Sequence, residues 1–403
     1  MERTYFNGER LKAARRLRGY TITELSNRTG ISKQSISLYE SNQNTPEFER
    51  CNRLAQELDV PTSFFMTAEG CKTTTPATYF RSLARATKTQ RVSQSLKLEY
   101  VAKIYDALST YIDFPSVNLP QVEYTGGYSI YDDNDCDKMC RELEGIATTV
   151  REHWGLGNSP IGDLQYALES NGIVVTGFNT DENSIDAFSQ RTLFQDGYGL
   201  CFIAVDQGSK PEGRIRFDMG HELAHLLIHP WTESIDEISK EEFKTREYEA
   251  NVFASAFLLP RETFGRDVSA YATDLGYYAK LKTKWKSSIQ SMVYRAYQLK
   301  IITISQFQYI MRQISKKGWR LQEPGDEPYY LNENIFQGAI DLLKSERILS
   351  SNGLLSLFAD YGVCLYPSEI ENLLHLKSGT LNEDTPGRIV QLKLIKNGNT
   401  DKE

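Results

Sequence analysis

At 403 residues, with 40% hydrophobic and 25% charged residues, the chain is of ordinary globular composition and long enough for roughly two to four domains. The net charge of −7 argues against a nucleic-acid binder that is basic throughout, and six scattered cysteines (Cys51, Cys71, Cys136, Cys140, Cys201, Cys364) are too sparse for a disulfide framework. The N-terminal run MERTYFNGERLKAARRLRG has no apolar stretch like that of a signal peptide, and no apolar run reaches the ~18 residues of a membrane span, so the expectation is a cytoplasmic chain.

Residues 6 to 66 read as a compact helical domain. Gly8–Arg18 places Leu11, Ala14 and Leu17 on one stripe with arginines opposite. Thr21 is the expected N-cap of a second helix, with Glu24 three residues on, and Gly30 is its expected stop. Ser32 caps a third helix, in which Ile36 and Tyr39 supply the apolar side. A fourth, after Pro46, carries Cys51, Leu54, Ala55 and Leu58 at helical spacing. The short Gly30-Ile31-Ser32 turn between the second and third helices is a helix-turn-helix layout. Ten Lys/Arg against eight Asp/Glu over residues 1–66 leave a net charge of only +2. That is a weak field for a DNA reader, so a homodimer is expected. The plain alternative is a helical interaction domain that binds no DNA.

Residues 67–98 form a polar, Thr-rich connector, whose Lys72, Arg81, Arg85, Lys88, Arg91 and Lys97 are joined by no acid from residue 71 onward. Such a run can lie along phosphates or be a solvated face. An amphipathic helix is expected over 96–114, and residues 131–144, rich in Asp and Glu, lead into another that ends at Trp154. From Gly155 the pattern changes. A capped helix over 160–170 and a stop at Gly172 precede strand-like runs at 173–176, 187–194 and 199–206. A sheet edge there could hold an extended peptide by strand addition.

Next comes FDMGHELAHLLIH, Phe217 to His229. The chain has five histidines, and three fall between 221 and 229. His221, Glu222 and His225 form H-E-x-x-H. On a helix, positions i and i+4 share a face, so both imidazoles can reach one ion while Glu222 lies beside a metal-bound water as general base. The plain alternative is a helix that carries two structural histidines. A catalytic zinc generally takes a third protein ligand. His229, Glu241, Glu242, Glu247 and Glu249 are the candidates. His229 lies two turns from His221, which is too far to share an ion easily. Glu249, where the apolar run EANVFASAFLLP begins, is the first choice and Glu247 the second. Tyr248 and Arg246 are candidate oxyanion donors. Residues 266–320 read as helical support, with a secondary likeness to a helix-turn-helix pair around Ile289, Met292, Val293 and Ala296. Residues 327–376 read as a small helical module, followed by a polar tail.

Two resemblances organise these observations. ERLKAARRLRGYTITELSNRTGISKQSISLYESNQNTPE resembles the XRE (Cro/C1-type) DNA-binding domain. That likeness implies that the third helix enters the major groove of an operator. Lys33, Gln34 and Ser37 would meet base edges, where Gln suits adenine and Lys guanine, and Thr23, Arg16 and Asn44 would contact phosphates. PIGDLQYALESNGIVV, RIRFDMGHELAHLLIH and EYEANVFASAFLLP, with the helical run on to about residue 325, resemble the ImmA/IrrE metallopeptidases. That likeness implies His221, His225 and Glu249 as metal ligands, Glu222 as catalytic base, zinc (or manganese) as the ion, and a repressor-type protein as substrate. The expected architecture is α+β and mainly helical. It comprises a helix-turn-helix bundle (1–66), a basic connector and helical linker (67–150), a small-sheet, zincin-like metallopeptidase domain (151–325) and a C-terminal helical module with its tail (326–403). The competing reading is a regulator or antitoxin-like protein without turnover, whose metal domain senses or binds a partner.

Overall fold

A computed structural model describes residues 6–66, 73–80, 87–178, 187–194, 197–206, 208, 210–230 and 238–382, with the backbone alone for 73–80. Lys72, Arg81 and Arg85 of the basic run, and the tail beyond 382, lie outside the described residues. Four N-terminal helices, α1 (Gly8–Leu17), α2 (Ile22–Thr29), α3 (Lys33–Glu40) and α4 (Phe48–Glu57), are followed by strand β1 (Thr73–Phe80) and the long helices α5 (Lys88–Ser109) and α6 (Asp133–His153). Then come α7 (Leu164–Glu169), β2 (Ile173–Phe178), β3 (Ala187–Phe194), β4 (Gly199–Asp206), α8 (Glu212–Ile228) and α9 (Lys240–Leu258). The chain continues through α10 (Arg261–Ser269), α11 (Leu275–Trp285), α12 (Ile289–Gln298) and α13 (Ile304–Lys316), and its last helices are α14 (Ile335–Ser345), α15 (Ser351–Asp360) and α16 (Pro367–Leu374).

The sheet divides the interior. Its strand order is β1-β3-β4-β2; β2 runs parallel to β4, while β3 is antiparallel to both β4 and β1. Side chains alternate across a strand. Val174, Phe188, Phe194, Leu200, Phe202 and Ala204 therefore enter one core, and Ile173, Val175, Ala187, Cys201, Ile203 and Val205 enter another. The first core is filled by the N-terminal bundle, α5 and the C-terminal helices. The second is filled by α6 to α13.

The helix-turn-helix forms for the local reasons its sequence carries. Thr21 and Glu24 make a reciprocal capping box, with Glu24 N–H to Thr21 Oγ1 at 3.1 Å and Thr21 N–H to Glu24 Oε2 at 2.7 Å. Gly30 takes the left-handed conformation, φ 69°, that ends α2, and Ser32 caps α3. Arg15 of α1 grips Glu40 of α3 with two parallel hydrogen bonds, 2.6 and 2.8 Å, inside the bundle. Gly8 lets α1 approach the end of α3, because a Cβ there would sit 2.0 Å from the Tyr39 carbonyl oxygen.

Two expectations for the middle of the chain are corrected. The connector contains a strand, β1, and the helix expected over 96–114 begins at Lys88 and ends at Ser109. Thr87 and Gln90 form a capping box at that earlier start. Ser93 of α5 donates to the Leu17 carbonyl at 2.6 Å, so α5 is anchored to the N-terminal bundle. The C-terminal module joins the same body: Arg10 donates to the Gly362 carbonyl at 2.9 Å, and Arg18 pairs with Glu369 at 2.6 Å. Between α5 and α6 the chain runs without helix or strand over the second core, which Val117, Leu119, Val122, Tyr124 and Tyr128 touch. Ile289, Met292, Val293 and Ala296 are buried in the second core, in keeping with helical support.

Candidate metal centre

α8 carries the H-E-x-x-H residues through the interior, and His221, Glu222 and His225 are 0, 0 and 1% exposed. Its first turn lies against the start of α12, where a Cβ on Gly213 would meet the Ser288 nitrogen at 2.7 Å. α9 crosses α8 where Gly220 faces Ala254. Small residues at a crossing let two helix backbones come close, and that closeness brings α9 carboxylates to the α8 histidines.

The Nε2 atoms of His221 and His225 lie 3.1 Å apart. Glu247 of α9 completes the group, its oxygens 3.5 Å from His221 Nε2 and 3.4 Å from His225 Nε2. This is the described residues' one set of three such groups with metal-ligand spacing, all its ligand atoms within 4.8 Å of one another. The structure thus brings Glu247, and not the expected Glu249, to the two imidazoles. Two residues along a helix turn a side chain by ~200°, so only one of the two carboxylates can face the imidazole pair. Glu249 instead accepts from the Tyr124 hydroxyl at 2.6 Å and meets His229 Nε2 at 3.0 Å.

The outer hydrogen bonds fix which nitrogens carry protons. Asn251 Oδ1 lies 3.1 Å from His221 Nδ1, so that nitrogen donates. His229 Nε2 donates to the Glu249 carboxylate. Burial first, then the neighbouring His225, Arg246 and His221, hold the His229 imidazole well below its usual pKa. A neutral His229 with a protonated Nε2 has an accepting Nδ1, 2.7 Å from His225 Nδ1, which must donate. With Nδ1 of each ring turned outward, both Nε2 atoms face the same space, 3.1 Å apart. The Glu247 carboxylate faces the same two nitrogens, one oxygen 3.5 Å from His221 Nε2 and the other 3.4 Å from His225 Nε2. Two lone pairs and a carboxylate converging in a buried site call for a cation between them. Tetrahedral zinc with bonds of ~2.0–2.1 Å sets its ligand atoms ~3.3 Å apart, close to the 3.1 Å between the two Nε2 atoms, and each of these nitrogens has a different Glu247 oxygen at 3.4–3.5 Å.

Glu222 points toward the sheet, where the Ser189 hydroxyl of β3 donates to its Oε2 at 2.7 Å. A cleft of about 690 Å³ at the C-terminal end of α8 is lined by Arg191 of β3, Leu226, Leu227 and His229, and the segment Leu119–Glu123. The two candidate oxyanion donors are engaged elsewhere: Arg246 pairs with Glu242 and Tyr248 with Cys136. Sequence reasoning missed Ser189, Asn251 and Tyr124, and set His229 aside. Asn251, two residues past Glu249, had a local signal in its spacing; Ser189 and Tyr124 had none.

At the other end of the chain, the six candidate DNA contacts, Arg16, Thr23, Lys33, Gln34, Ser37 and Asn44, are all exposed, while Ile36, Tyr39 and Glu40 turn the opposite side of α3 inward. Among the described residues, no helix is long and apolar enough to cross a membrane.

Comparison with known families places both regions. Residues 8–70 match a helix-turn-helix domain, and residues 168–297, from the end of α7 through α12, match the IrrE N-terminal-like domain. No curated protein matches the chain. The chain thus joins an XRE-type helix-turn-helix domain, a DNA-binding unit, to an IrrE N-terminal-like domain of the metallopeptidase class.

Proposed function

We propose that this protein is a DNA-binding transcriptional regulator with a zinc-dependent endopeptidase activity, directed at a repressor-type protein. The observation that carries the reading is the convergence of His221 Nε2, His225 Nε2 and the Glu247 carboxylate beside Glu222. His221, His225 and Glu247 would hold the ion, and Glu249 becomes the acceptor that orients His229 and, through it, His225. A zinc ion in that position supplies Lewis acidity, which lowers the pKa of a water and polarises a peptide carbonyl; manganese is the alternative ion. Glu222, steadied by Ser189, takes the proton of the attacking water and passes it to the leaving amine. The exposed face of α3 would read an operator through Lys33, Gln34 and Ser37, with Arg16, Thr23 and Asn44 on phosphates. The modest charge of the bundle favours a homodimer on DNA.

The experiment is cleavage of a candidate repressor by wild type and by Glu222→Gln. The variant is expected to keep its metal and fold while cleavage falls by a factor of about 10³ or more, of the order that removal of a catalytic proton acceptor costs. Cleavage at the wild-type rate would sink the assignment.

A further inference from the structure

We propose that the outer edge of β3 is the peptide-binding track of this site, and that the chain's own connector, Thr73–Phe80, occupies it as a tethered strand. The inference rests on the peptidase reading for what the track is used for, though not for the pairing itself. β3 is the strand that faces the reacting groups: Ser189 holds Glu222, and two residues on Arg191 lines the cleft beside His229. The inner edge of β3 is paired with β4, which leaves the outer edge for an added strand. An extended peptide laid there satisfies its backbone donors and acceptors by ladder pairing, the physical basis of strand addition.

That edge is already taken. β1 pairs with β3 antiparallel, with Ala77 opposite Arg191, Thr78 opposite Gln190, Tyr79 opposite Ser189 and Phe80 opposite Phe188. The occupant passes the two residues of β3 that border the reaction site. It also comes from outside the metallopeptidase unit: β2, β3 and β4 fall within the 168–297 match, whereas β1 lies in the connector after the DNA-binding domain. The composition of the segment, TTTPATYF, fits such a guest. Thr, Tyr and Phe favour extended backbone, and no charge must be desolvated. Pro76 falls where the register shifts between Thr74 and Ala77, and a proline cannot donate to the ladder there. The pairing beside the site is therefore a four-residue run, 77–80, short enough to be exchanged for another peptide. The ligand class that follows is an extended, uncharged segment rich in β-branched and aromatic residues. A protein substrate would enter by displacing the connector, so occupation of the cleft and the linkage to the DNA-binding domain are coupled.

The test is binding of a fluorescently labelled TTTPATYF peptide, read by anisotropy, to two full-length chains in the Glu222→Gln background. One keeps the natural connector, and the other has residues 73–80 replaced by a Gly/Ser segment of equal length. The replaced chain is expected to bind the peptide at least tenfold tighter than the chain with its own connector in place. Equal binding by the two, or no binding by a folded replaced chain, overturns the proposal. Should the replaced chain fail to fold, Thr78→Pro and Tyr79→Pro, of which one must remove a ladder donor because alternate residues turn their N–H groups toward the neighbouring strand, should between them still raise peptide affinity; unfolding of all these variants would make β1 a fixed member of the sheet and overturn it equally. Binding is read without catalysis, so the two readings fail separately. A candidate repressor left uncut by the replaced chain with Glu222 restored, although the peptide binds, sinks the peptidase, and cleavage of a protein substrate without any gain in peptide binding sinks the strand exchange.

Discussion

The candidate metal site and α3, the proposed recognition helix, are built on opposite plans. His221, Glu222 and His225 are buried, and each imidazole nitrogen turned away from the cluster's centre has a partner: Asn251 for His221, and for His225 the chain His229, Glu249 and Tyr124. Lys33, Gln34 and Ser37 stand on the solvent side of α3, and the helix is held from behind by Ile36, Tyr39 and the Arg15–Glu40 pair. Chemistry that needs fixed lone pairs is supported from inside the fold. Recognition that depends on an outside partner leaves its side chains uncommitted. A substitution in the first region should therefore change metal, fold or both, while one in the second should change binding alone.

The largest effect that can break this contrast is at the two neighbouring carboxylates. Glu247→Ala is expected to abolish metal binding, taking the content from about one ion per chain to near none, because a catalytic-type site needs its third ligand. Glu249→Gln should keep the metal with an affinity lowered by about 10–100-fold, the usual cost of disturbing a group that orients a ligand. Metal analysis by mass spectrometry during dialysis against a graded chelator separates the two. Complete loss in Glu249→Gln with full retention in Glu247→Ala would reverse the roles assigned here.

How far these roles were legible in the sequence follows from the range of the forces involved. The H-E-x-x-H helix, the caps at Thr21 and Ser32, the Gly30 stop and β3 and β4 are local, fixed by spacing along one element. The choice between Glu247 and Glu249 depends on how α9 is rotated against α8, which Gly220 and Ala254 decide across the crossing. Ser189 reaches Glu222 from a strand 33 positions earlier, and Tyr124 reaches Glu249 across 125. No periodicity encodes those meetings. The connector misled for a related reason: TTTPATYF is polar enough to read as a linker, and it becomes a strand only because β3 offers an edge. The C-terminal helices were visible as helices, but their place beside the DNA-binding bundle was not, since it rests on Arg10 with Gly362 and Arg18 with Glu369.

The recognition helix has an interior support of its own, and removing it should be costly without touching any DNA contact. Arg15→Ala would leave Glu40 buried without its guanidinium, a change worth about 3–5 kcal/mol. Thermal unfolding should show a destabilised N-terminal bundle. Replacing both partners by apolar residues, Arg15→Met with Glu40→Leu, should recover most of the loss. If the single variant melts like wild type, the pair is not what holds α3 against α1.

A smaller interior effect should appear as pH dependence. Glu169 of α7 is buried, and burial raises its carboxyl to about 8, against the hydrogen bond from Gln165. Its folded pKa lies above the ordinary 4.5, so its contribution is complete below about pH 4.5 and is lost as the pH rises to about 8. Glu169→Gln removes the titration and keeps the shape. The variant should therefore gain stability relative to wild type between pH 5 and pH 8.5, by up to a few kcal/mol, since each tenfold change in proton affinity is worth ~1.4 kcal/mol. Melting curves at the two pH values test this, and a difference that does not change with pH would refute it.

The last case sharpens the contrast from the surface side. Gln34 is exposed on the first turn of α3, so Gln34→Ala buries nothing, opens no cavity and should leave the melting temperature unchanged. If Gln34 reads a base edge, the same change should weaken operator binding by about 1–3 kcal/mol, with the loss confined to one base-pair position. Arg16→Ala, at a phosphate, should instead weaken binding to every sequence alike and reduce its salt dependence. The pair distinguishes a reading helix from a helix that merely lies near DNA, because only a base contact makes the penalty depend on the base. Uniform loss in both would move recognition off α3, and a fall in stability with Gln34→Ala would mean that this surface is committed to the fold after all.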